Sequence, residues 1–177
     1  MDLSNRELWT VLHGMVFGTA FLLAFAGGLA GLWSLRPGFV TAEGIKERLI
    51  RLRIGFVTMA VMAWLTVLSG NYIVYPWYRA KPPEGVTDLT AYPRSFLKAD
   101  PDLATWHSFG MEWKEHVAWV APLFATATAF LVIYYGPRLI ADRRLRMTTF
   151  GLFTLAFVAA GIAGVLGAFL NKVAPVS

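Results

Sequence analysis

No cysteine occurs anywhere in the sequence. Structural disulfides, thiolate metal sites, iron–sulfur clusters and covalently attached c-type haem are excluded with it, so any cofactor must be held through nitrogen, oxygen or thioether ligands. Charge is also scarce, at 15% of residues, and there are only three histidines. Nothing reads as a phosphate-binding glycine loop, a hydrolytic triad or a nucleic-acid module. Hydrolytic and nucleotide-driven chemistry therefore has no visible machinery.

What the chain has in quantity is apolar sequence. Of its 177 residues 56% are hydrophobic, and the mean hydropathy is +0.54, outside the range of soluble domains. Four runs stand out: Leu8 to Leu35, Ile54 to Tyr75, Val117 to Tyr135 and Thr148 to Leu170. A helix needs about 20 such residues to cross roughly 30 Å of hydrocarbon. The runs predict an all-α integral membrane protein, an antiparallel bundle of four transmembrane helices forming one domain over residues 1–177. The helices are expected at about 8–35, 54–75, 106–135 and 148–170, with a long loop at 76–105. The first run is too long for a signal-peptide core and lacks a cationic start, so it is expected to remain as a span.

The basic balance, with a pI near 9.7, is sorted by position. The short loops at 36–53 and 136–146 hold nine bases against Glu43, Glu47 and Asp142, while the rest of the chain has seven bases and eight acids. By the positive-inside rule both loops face the cytoplasm. The expectation is a multi-pass protein of a bacterial inner membrane with both termini and the 76–105 loop outside. Lipid, not nucleic acid, is the environment this charge pattern serves.

The histidines are His13, His107 and His116. His13 precedes Arg36 by 23 residues and His116 precedes Arg138 by 22. At 1.5 Å per residue they lie about 34 and 33 Å from the cytoplasmic edge. The first and third helices of such a bundle are diagonal, so equal depth meets the demand of a bis-histidine haem b. Gly14 and Gly18 would leave room for a flat macrocycle, and Phe17, Trp119, Leu123 and Phe124 would wall it. Lys114, Arg79, Arg94 or Lys98 would pair with its propionates at the outer rim. A quinol or an outer-surface electron-transfer protein would be within reach of such a haem.

Other readings compete. Glu112 and His116, spaced i, i+4, share a helical face and with His13 or His107 would suit a non-haem metal, with Glu115 adding a carboxylate. Ser69 and Asn71 read as interhelical hydrogen bonding or as a quinone-headgroup contact. Gly14/Gly18, Gly27/Gly31 and Ala160/Gly164/Ala168 read first as close helix packing. Pro122 is expected to kink the third helix and Gly110 to break it. The four prolines of the loop and its length point to a lid or docking surface.

The helix count and the placement of His13 and His116 resemble the four-helix membrane b-type cytochromes that anchor redox complexes. The resemblance implies an electron-transfer subunit with other membrane subunits as partners, not a stand-alone enzyme. Three histidines limit it to one bis-histidine haem. The rivals are a cofactor-free accessory subunit and a non-haem metal-binding membrane protein.

Overall fold

The computed structural model describes residues 3–39 and 41–176. Helix α1 spans Asn5–Ser34, α2 Gly44–Tyr78, α3 Pro93–Ala99, α4 Trp106–Tyr135, α5 Arg138–Ala141 and α6 Arg143–Val173. No strand occurs among the described residues. The four long helices are each long and apolar enough to cross a membrane, and they form an antiparallel bundle.

Three of the four starts are set by side-chain caps. Ser4 Oγ accepts from the Glu7 amide at 3.1 Å and Glu7 accepts from the Ser4 amide at 2.8 Å, a reciprocal capping box. Thr41 Oγ1 takes the Gly44 amide at 3.2 Å, and Asp142 takes the amides of Arg144 and Leu145 at 2.9 and 3.0 Å.

The helices outrun the apolar runs that announce them. The segment before residue 54 is mostly helix, not loop, and carries an Arg51–Glu47 ion pair on its exposed face. Hydropathy reports where hydrocarbon is crossed, whereas helical hydrogen bonding continues into water. Several arginines here satisfy carbonyls at helix ends. Arg48 donates to Ser34 O at 3.2 Å, Arg53 to Ile133 O at 3.4 Å, and Arg146 to Leu139 O and Ile140 O at 2.8 and 3.0 Å.

In the bundle α1 packs on α2, α2 on α4 and α4 on α6, which leaves α1 and α4 diagonal. The main core fills the half nearest the arginines, with Phe56, Met59, Ala125, Val132, Phe153 and Ala156 at most 1% exposed. There α1 meets α6 through Phe25, which stacks on Phe153 at 4.3 Å and on Phe157 at 4.0 Å. A smaller core of Tyr78, Leu97, Met111, Leu170 and Ala174 closes the opposite end. Leu97 anchors α3 there, so the 76–105 segment folds onto the bundle with a helix of its own.

The expected break at Gly110 is absent, because Gly110 lies inside a continuous π-helical turn. The hydrogen-bond pattern of α4 lapses instead at Trp119, four residues before Leu123, where Pro122 has no N–H to offer Ala118.

Candidate functional site

Three of the four long helices contain a π-helical turn, at Leu12–Val16, Gly70–Val74 and Trp106–Met111. Such turns form well under 1% of residues and gather at functional sites, because each forces one extra residue into the turn and re-aims its side chains. All three lie in the half away from the arginines. The first holds His13, the second the glycine His13 rests on, and the third His107.

The His13 ring crosses from α1 to α2. Its Nδ1 lies 2.7 Å from Thr66 O, with Ser69 Oγ at 3.3 Å. A carbonyl only accepts, so Nδ1 carries the hydrogen and a neutral ring keeps its lone pair on Nε2. No described residue hydrogen-bonds to that Nε2. Gly70 is where the ring fits, since any Cβ there would collide with it. The sequence reading missed Gly70 and the Thr66 carbonyl. A backbone partner leaves no trace in side-chain chemistry, and only the glycine at the level of an in-span histidine could have hinted at it.

Beside His13 the bundle is open. The face of α1 that carries Phe25 continues through Gly18 and Gly14, and the face of α6 that carries Phe157 continues through Gly161 and Gly164. Nothing lies within 4 Å of the Cβ position at any of these four glycines. Above the aromatic stack the glycine faces of α1 and α6 therefore meet no neighbouring atom, a glycine-lined seam about 15 Å long. The glycines expected to bring backbones together mostly do not. Gly28, facing Phe56 and Phe153, and Gly31, against Leu52, perform that packing, while Gly14, Gly18, Gly27 and Gly164 stay open.

Lys114 reaches from α4 toward this seam. Its stem lies over Gly167 of α6, where a Cβ would come within 2.8 Å of Cε, and its charge bears on His13. Among the described residues its ammonium has no hydrogen-bond or ion-pair partner. Glu115 bears on it electrostatically, while accepting from the Tyr75 hydroxyl at 2.6 Å.

His107 is buried, at 9% exposure, although its sequence position reads as nearer to solvent. Arg94 Nε donates to its Nε2 over 3.4 Å, so the ring hydrogen sits on Nδ1 and is donated to Tyr78 Oη at 2.9 Å. Both nitrogens are in use, and Arg94 is tied to this ring. Glu112 bears electrostatically on the same pair.

His116 is elsewhere. Its ring is exposed on the flank that also carries Leu123 and Phe130, at 59% and 57% exposure, and Nδ1 donates to Glu112 O of its own helix at 2.6 Å. It stands nine residues from the fully buried Ala125, about 180° around the helix. His116 therefore stands on the exposed flank of α4, turned from the interior that the haem reading requires of it. Phe17 stays partly buried beside the seam, whereas Trp119 packs edge-on against Trp64 at 6.2 Å between α2 and α4. No three of the described His, Asp and Glu residues gather as metal ligands, so Glu112, His107 and His116 assemble no such set.

No protein-family model, curated protein or solved structure matches the chain.

Proposed function

We propose that this chain is an electron-transfer subunit of a membrane redox complex that would hold one haem b along the glycine faces of α1 and α6, with His13 Nε2 as the atom that would bind its iron. The observation that carries the reading is the Nδ1 hydrogen bond of His13 to Thr66 O. It fixes the tautomer that a metal-bound imidazole requires and leaves Nε2 without a hydrogen-bond partner among the described residues.

The donor set fits the group. Gly14, Gly18, Gly161 and Gly164 give flat access, Phe25 and Phe157 close the floor against water, and the unpaired Lys114 ammonium offers a partner for a propionate. Haem contributes one-electron chemistry. His13 sets its position, and the low-dielectric walls around it raise the weight of the Lys114 charge. His116 stands on the exposed flank of α4 and would take no part in holding the group. The charge asymmetry of the loops supports an inner-membrane orientation with both termini outside and this site near the outer face, where a quinol or a surface redox protein would meet it.

A reduced-minus-oxidised absorption spectrum of the purified protein tests this. Soret and α bands are expected to vanish in His13→Ala and to persist in His116→Ala. Bands lost only in His116→Ala would refute the assignment. A flat spectrum from a folded preparation would leave the cofactor-free accessory subunit as the reading.

A further inference from the structure

At the arginine end α1 and α6 enclose a second opening, on the other side of the Phe25–Phe153 stack from the seam. Its volume is about 460 Å³. Leu32, Met147 and Phe150 form its apolar wall, and Arg36, Arg143 and Arg146 stand at its rim. The combination is unusual because the two linings ask for different things. An apolar groove at a membrane boundary takes hydrocarbon, and clustered guanidiniums take an anion.

The state of these arginines sharpens the point. Arg48, Arg53 and Arg146 are spent on helix-end carbonyls, and Arg51 on Glu47. Arg36 has its guanidinium 3.7 Å from the centre of the Trp33 ring, a contact that orients it and leaves its N–H groups uncommitted. Arg36 and Arg143 have no carboxylate or carbonyl partner among the described residues. The nearest acid in sequence, Asp142, already accepts the amides of Arg144 and Leu145. Two guanidiniums thus wait at the mouth of a greasy cleft with no counter-ion among the described residues.

We propose that this cleft is a binding site for an anionic phospholipid. The phosphate lies between Arg36 and Arg143, and an acyl chain runs along Leu32, Met147 and Phe150 between α1 and α6. The phosphate accepts from planar donors suited to its oxygens, while the chain covers apolar surface that the helices leave open. The site is independent of the haem assignment, since it involves none of the residues of the seam.

The test is lipid retention by the purified full-length protein, read by native mass spectrometry and by the thermal midpoint after delipidation. Three probes separate the sources of the phosphate: phosphatidylglycerol, phosphatidylcholine and inorganic phosphate alone. Phosphatidylglycerol is expected to bind one per chain and raise the midpoint, with phosphatidylcholine weaker and inorganic phosphate without effect. Arg36→Gln/Arg143→Gln is expected to weaken phosphatidylglycerol binding by roughly thirtyfold, from about one headgroup interaction lost per arginine. Arg51→Gln, whose arginine already has a partner, is the control and should bind as the parent does. Met147→Trp, which fills the groove and leaves the arginines, should also release the lipid. The proposal is overturned by equal retention of both lipids, by full retention in the double variant, or by inorganic phosphate reproducing the effect.

Discussion

The two halves of the bundle are built on different terms. Toward the arginines the helices are regular and the interior is dry and closely filled, with Phe56, Phe153, Met59 and Val132 shut away from solvent. Toward the histidines three helices carry π turns, α1 and α6 present open glycine faces, and the packing includes His13, Lys114, Glu115 and the Tyr78–His107–Arg94 chain. One half sets the geometry and the other uses it. A polar group in an apolar span is costly unless partnered, and the histidine half ties up both ring nitrogens of His107 while His13 Nε2 has no hydrogen-bond partner among the described residues.

The contrast breaks most severely where the packed half is cut. Phe153 is fully buried, stacked on Phe25 at 4.3 Å and edge-on to Phe56 at 5.0 Å. Phe153→Ala is expected to cost about 3 kcal/mol, the low end for a buried aromatic, because lipid tails already solvate apolar groups and the loss falls on contacts and cavity. Unfolding of the purified bundle in mixed detergent measures it. A loss below about 1 kcal/mol would mean that this half is not the scaffold.

Next in size is Gly70→Ala. Its methyl group would overlap the His13 ring, so either the ring leaves Thr66 O or α1 backs away from α2, at about 1–3 kcal/mol for an overpacked contact. Gly55→Ala, on the same helix with nothing within 4 Å, is the matched control and should not destabilise. If the two variants behave alike, His13 is not held as described. Tyr78→Phe follows. It deprives the buried His107 Nδ1–H of its acceptor, a loss of about 1–2 kcal/mol in the same unfolding assay, while the Arg94 bond to Nε2 keeps its partner.

These residues also mark how far the sequence could be read. Helix number, order and pairing were legible because long apolar runs and capping chemistry are local signals, and the diagonal relation of α1 and α4 followed from short connections. Azimuth was not. His116 and Ala125 differ by half a turn, and the lapse at Trp119 and the π turn at Trp106–Met111 both shift phase along α4. A histidine placed by counting residues therefore landed on the outer flank. The partners of His13 were hidden for another reason: a main-chain carbonyl and a missing side chain have no letter of their own.

The smallest expected effect is also the most discriminating, because it separates a gap from a packing surface. If Gly161 and Gly164 served helix association, as small residues in membrane helices commonly do, Gly161→Ala and Gly164→Ala would drive α1 from α6 and destabilise the bundle. The structure places no atom within 4 Å of either Cβ position, so each substitution should leave stability unchanged or improve it by less than about 1 kcal/mol through helix propensity. Gly164→Phe should likewise keep the fold, because the ring has open space to enter, while filling the seam and suppressing any haem absorbance. A stable Gly164→Phe protein with full haem absorbance would place the cofactor outside the seam. An unfolded Gly164→Ala protein would show instead that α1 and α6 close on one another, and that the openness of the histidine half is not a property of the folded bundle.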